Sequence, residues 1–230
     1  MYRYLIIDAL VLSVPFLFSF QGKVKFYKRI PYVLAAFACA GTGFLIWDVW
    51  ATHRGDWGFA HEYVVGIRFL GLPLEEILFF LMIPYSCIFI YENLVCYFPD
   101  KRIRLHPALN GVVACACWVT AILFREQNYT RTVFLVCGLF FLVTLFFDHD
   151  MLESSLFWAY MGITYFPFFV VNYLLTSPPI VWYNPEAIWR IRITTIPLED
   201  FCYSFTMLAF YTLIYRIFRK KTSRGPFLTI

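Results

Sequence analysis

Two carboxyl pairs carry the chemistry this chain could do. Glu75 and Glu76 follow Pro73-Leu74, and Glu199 and Asp200 follow Pro197-Leu198. Each quartet opens a long apolar run, so two adjacent acids enter a stretch otherwise made of hydrocarbon side chains. A charge deep in a bilayer costs roughly 2.5–3.5 kcal/mol on insertion scales, and such residues usually face a site. Proline at the first helical position with acids in the first turn is also an ordinary helix start. One copy alone would fit either reading. The copies stand 124 residues apart, each with an arginine five residues before its proline, Arg68 and Arg192, and that agreement favours chemistry.

Successive helix residues point about 100° apart, so the two acids of one copy cannot share a direction. One acid of each copy then faces its counterpart, while the other caps the helix or pairs with an arginine. Four carboxyls gathered in a low dielectric cannot all ionise, so at least one keeps its proton. A proton donor beside an acceptor is what general acid–base catalysis requires. The same 124-residue overlay matches Asp48 with Asn172, candidates to orient or share protons. It also matches Phe79 with Tyr203, one turn after each first acid, where an aromatic face can stabilise a carbocation or simply pack. Arg68 and Arg192 are candidate counter-ions or lipid-phosphate contacts. Asp8 lies inside the first apolar run, opposite Thr132, without an acidic counterpart. Asp148, His149, Asp150 and Glu153 imitate a metal cluster but read more simply as a solvated loop, with Asp150 and Glu153 capping the next helix. Glu92 and Asn93 are expected to snorkel to water.

Positioning these residues requires helices in lipid. Of 230 residues 61% are hydrophobic, 22% aromatic and 15% charged, and the mean hydropathy is +0.67. In a bilayer the backbone must satisfy itself, within helices or a closed barrel. The apolar runs are continuous rather than alternating, which excludes a barrel. The fold class is therefore all-α, a polytopic membrane protein with seven transmembrane helices near 2–20, 31–51, 73–97, 108–124, 130–147, 153–175 and 197–218. No leader is evident before the first. The overlay, which also matches Glu62 with Glu186 and Tyr91 with Tyr215, needs no gap. It divides the chain into a three-helix repeat (1–97), a loop and connector helix (98–129), and a second repeat with a basic tail (130–230). Three helices plus one connector return the second unit in the same orientation, a parallel 3+1+3 repeat about an axis along the membrane normal.

Basic loops after the first and third helices, with the basic tail, put the amino terminus outside and the carboxyl terminus in the cytoplasm of a cell (inner) membrane. Those loops also account for the net charge of +4, so nucleic acid is not an expected partner. The seven cysteines form no CxxC pair and read as small buried hydrophobes. No GxGxxG or Walker sequence is present.

In its paired motifs, helix count and repeat spacing the chain resembles the small integral-membrane lycopene cyclases of carotenoid biosynthesis. The mark of that family is Pro-x-Glu-[Glu/Asp] in each of two subunits, here fused as Pro73-Leu74-Glu75-Glu76 and Pro197-Leu198-Glu199-Asp200. The resemblance implies an isomerase that closes the linear ends of lycopene into β-ionone rings without redox change. It casts Glu75, Glu76, Glu199 and Asp200 as catalytic. It also implies no flavin or other cofactor, no metal, and a carotenoid substrate met in membrane lipid. A second copy or other carotenoid-pathway enzymes are the protein partners it leaves open. A related cyclase or hydratase would share the acid-first step. A small 3+1+3 transporter is the alternative of another class, but the Pro-Gln dipeptide usual there is missing.

Overall fold

A computed structural model describes residues 2–104 and 106–224; the last residues of the basic tail, 225–230, lie outside the described residues. Among the described residues seven long helices carry the fold: α1 (Arg3–Phe18), α2 (Phe26–Arg54), α3 (Leu74–Tyr97), α4 (Pro107–Leu123), α5 (Asn128–Phe147), α6 (Ser155–Thr176) and α7 (Leu198–Arg224). They fall close to the expected segments, because continuous apolar runs leave few other choices in lipid. Five of them, α2, α3, α5, α6 and α7, are long and apolar enough to cross a membrane. α1 has 16 residues and α4 has 17. At 1.5 Å per residue each is about 25 Å long, short of a hydrocarbon core about 30 Å thick. Many apolar side chains remain exposed, among them Ile46, Phe146 and Phe166, as a membrane protein requires.

The two halves interlock. Within the first half α1 packs on α3, and within the second α5 packs on α7. Between halves, α2 packs on α7 and α6 on α3, so each middle helix lies against the other half's third helix. The approach of α2 to α7 is close. A Cβ on Gly41, in a π turn spanning Phe37–Gly41, would stand 2.4 Å from Tyr211 Oη, which donates to Phe80 O at 2.6 Å.

The long loops carry short strands that helical periodicity could not announce: β1 (Trp57–Phe59), β2 (Arg68–Phe69), β3 (Leu72–Pro73), β4 (Val181–Tyr183), β5 (Arg192–Ile193) and β6 (Ile196–Pro197). β2 and β3 form a hairpin directly before α3, and β5 and β6 form its copy before α7. β1 pairs antiparallel with β4: Trp57 opposite Tyr183, Gly58 opposite Trp182, Phe59 opposite Val181. Under the 124-residue overlay this pairing exchanges the two repeats, so a local two-fold runs through Gly58 and Trp182. The flanking bonds obey it too: Asn184 N–H donates to Asp56 O at 2.8 Å and Ala60 N–H to Ile180 O at 2.9 Å. Only one large side chain fits on that axis. A Cβ on Gly58 would meet the Trp182 ring at 2.5 Å, which is why the repeats differ there.

The far end is tied by buried charges. Arg216 Nε meets Asp148 at 2.7 Å, Lys220 Nζ meets the same carboxylate at 2.7 Å, and Arg216 Nη1 donates to Tyr91 Oη at 2.5 Å. Arg219 donates to Glu92, which Arg29 also approaches at 3.6 Å. Three sequence expectations change here. Glu92 is buried and paired across the halves, not snorkelling; Asp148 is buried, not part of a solvated loop. Ser154, rather than Asp150 or Glu153, caps α6 by accepting from Phe157 N–H at 3.2 Å, while Arg102 pairs with Asp150 at 3.2 Å. Among the described residues no cluster of three or more His, Cys, Asp or Glu could hold a metal.

Candidate active site

The two hairpins set the acids. Leu74 N–H bonds Ile67 O at 2.9 Å and Leu198 N–H bonds Ile191 O at 3.0 Å, so each helix starts in the same relation to its hairpin. Leu70 and Thr194, matched positions in the two turns, both take left-handed backbone, at φ 50° and 59°. Arg68 Nη1 clasps Gly71 O at 2.9 Å and Arg192 Nη1 clasps Thr195 O at 2.6 Å. The arginines therefore hold the turns; no ion pair joins either one to a motif carboxyl among the described residues.

The first acid of each copy ties the helix start to the loop before it. Glu75 Oε1 accepts Val65 N–H at 2.6 Å, and Glu199 Oε1 accepts Trp189 N–H at 2.5 Å. Glu199 also accepts Thr130 Oγ1–H at 2.5 Å. Both glutamates are buried, and neither belongs to the lining of the cavity described next. Asp8 is fully buried beside Glu75, its two oxygens without hydrogen-bond partners among the described residues, and it too lies outside the lining. Replacing Glu199 by alanine would strand two buried donors, each worth about 1–3 kcal/mol. Glu199→Ala should therefore lower stability by about 2–4 kcal/mol. Glu199→Gln, which keeps an acceptor, should stay within about 1 kcal/mol of wild type. Thermal unfolding in detergent reads the difference.

The second acids enter one cavity. It measures about 270 Å³ and is lined from both halves, with Glu76, Asp48, Asp200 and Asn172 among otherwise apolar and aromatic groups. Phe79 and Tyr203 form part of its wall. The β1–β4 ribbon lines it too, through Trp57, Phe59, Val181 and Tyr183. Each acid has a defined partner. Tyr4 Oη–H donates to Glu76 Oε2 at 2.5 Å, and Trp57 Nε1–H donates to Asp48 Oδ1 at 2.7 Å. Asp200 accepts Tyr129 Oη–H at 2.6 Å and Tyr183 Oη–H at 2.9 Å. Asp48 and Glu76 bring their carboxyls within direct interaction of each other. Asn172 donates to Phe168 O at 3.2 Å, one turn back on its own helix. Desolvation beneath the ribbon, then the neighbouring Asp200, push the Tyr183 phenol well above its usual range, so it remains a donor.

Sequence reading missed Tyr4, Tyr129 and Thr130. A signal existed: Tyr4 and Tyr129 stand 125 residues apart, one more than the motif spacing, so the first helix of each repeat is offset by one.

A protein-family model described as lycopene cyclase matches residues 1–94 and 126–218, the two repeats without the connector between them. No curated protein and no solved structure matches.

Proposed function

The chain belongs to the lycopene cyclase family, and on that footing we propose that it closes the linear ends of lycopene into β-ionone rings by an acid-initiated isomerisation. The observation that carries this reading is an apolar cavity with carboxyls from both repeats in its wall. A carboxylic acid protonates the terminal double bond and leaves a tertiary cation. The neighbouring double bond attacks it, closing a six-membered ring, and a carboxylate then removes a proton to set the ring double bond. Atoms and charge balance, so the reaction consumes neither oxidant nor reductant.

The lining suits this sequence. The rings of Trp57, Phe79, Tyr129 and Tyr203 offer π faces to a transient cation. Apolar neighbours such as Ile83, Met207 and Leu208 keep out the water that would quench the cation as an alcohol. Drug-sized ligands occupy roughly 300–1,000 Å³, so about 270 Å³ suits one reacting end, with the rest of the polyene extending beyond it. All seven helices span the membrane in this reading as a parallel 3+1+3 repeat, the bilayer thinning around the shorter α1 and α4. The hairpins and ribbon lie at the outer face and the carboxyl terminus in the cytoplasm.

Expression in a lycopene-accumulating host tests the proposal. Chromatography of the pigments should reveal mono- or bicyclic carotenoid. Unchanged lycopene beside folded, membrane-inserted protein would sink it in favour of a transporter, and a hydroxylated product would point to a hydratase.

A further inference from the structure

The two repeats are unequal where they line the cavity, and the inequality bears on which acid does what; the inference rests on the cyclase reading above. In the first repeat Asp48 stands beside Glu76, whereas its counterpart in the second repeat is the amide Asn172. Two carboxyl oxygens can hydrogen-bond only if one carries a proton. Asp48 Oδ2 is buried and has no O–H or N–H donor among the described residues, so a proton shared with Glu76 is the donor its position calls for. Tyr4 and Trp57 occupy the remaining sides of the pair.

Asp200 is set up in the opposite sense. It has no carboxyl partner in the cavity wall of its own repeat, and two phenols donate to it, one at each oxygen, at 2.6 and 2.9 Å. Hydrogen bonds to the charged form favour that form. Each carboxylate oxygen has a second lone pair, so Asp200 can take a proton without losing either phenol.

We propose that the Asp48–Glu76 pair of the first repeat delivers the proton and that Asp200 of the second repeat removes it. In the first step an O–H bond of the pair breaks, a C–H bond forms at the less substituted carbon of the terminal double bond, and the tertiary cation appears at the other. Ring closure moves the next π pair into a C–C bond. In the last step a ring C–H bond breaks, its electrons become the ring double bond, and the proton goes to Asp200. One turnover leaves the pair short of a proton and Asp200 with one extra. Returning that proton between two walls of one cavity restores both sites, and the protein gains and loses none.

Deuterium separates the two roles. Purified protein in lipid is given lycopene in heavy water, and the unconverted lycopene is recovered for mass spectrometry. Wild type should form rings carrying deuterium; rings absent here would count against the cyclase reading itself. Asp200→Asn should form few or no rings yet return lycopene labelled with deuterium, because the cation forms and collapses back. Glu76→Gln should return unlabelled lycopene, at least tenfold less labelled than with Asp200→Asn. Asp48→Asn should behave as Glu76→Gln and carries the test if that variant fails to fold. Label with Glu76→Gln but not with Asp200→Asn reverses the assignment and overturns the proposal. Equal label in folded Glu76→Gln and Asp200→Asn, including none in either, overturns it too.

Discussion

Glu76→Gln should reduce the initial rate of ring formation by a factor of about 10²–10⁴, the usual worth of a positioned general acid. That is about 3–5 kcal/mol of barrier, and the fold should not suffer with it. The glutamine carbonyl can still accept Tyr4 Oη–H, which reaches Glu76 at 2.5 Å. Its amide N–H₂ can supply the donor that Asp48 Oδ2 lacks. Packing and hydrogen bonding are thus kept while the transferable proton is lost, and Asp48 becomes an ordinary carboxylate bonded to Trp57 and an amide. Initial rates of the purified protein in lipid, set beside its thermal unfolding, check both halves of the claim. A folded Glu76→Gln protein retaining more than about a tenth of wild-type rate would remove Glu76 from the chemistry. The loss is expected at this acid, not its neighbour Glu75, because only Glu76 reaches the cavity while Glu75 is engaged with the backbone of its own loop.

The 100° step between neighbours on a helix announced that the two acids of each copy must part, but not which one turns inward. That choice belongs to the hairpins. The bonds from Val65 and Trp189 N–H engage the first acid of each pair, and the second is left to the cavity. Helix positions were legible because lipid allows few alternatives, and the repeat was legible because its motif carries an unusual cost. Strands of two or three residues have no period to read, so the ribbon at Trp57–Phe59 and Val181–Tyr183 was invisible until the halves met. The gapless overlay that matched Asp48 with Asn172 also hid Tyr4 and Tyr129, which answer to a spacing one residue longer. Arg68 and Arg192 drew attention as charges near acids; in the fold each also holds a turn carbonyl, which charge alone did not announce. Glu92 looked like a helix-end residue reaching for water because its partners, Arg29 and Arg219, lie far away in sequence.

Arg216→Leu should lower stability by about 3 kcal/mol, the low end of the range for breaking one side of a buried ion pair, since Lys220 still meets Asp148. Arg216 joins three elements at the end opposite the acids: its own helix α7, Asp148 after α5, and Tyr91 on α3. Leucine would fill the space but leave both partners without that donor. Adding Asp148→Asn should recover part of the loss, because an amide tolerates burial better than an unpaired charge. The same contact predicts an acid limb. Burial alone would push the Asp148 carboxyl up, but Arg216 and Lys220 outweigh it and hold the group below its ordinary value. A group depressed on folding contributes its full stability above its unfolded value of about 3.9. The contribution is then lost as pH falls through the folded value. Wild type should therefore weaken on acidification below about pH 4, and Asp148→Asn should flatten that part of the profile. Thermal unfolding in detergent from pH 3 to 7 reads both effects. An Arg216→Leu protein as stable as wild type would mean that the bonds from Arg216 to Asp148 and Tyr91 contribute nothing to holding this end together.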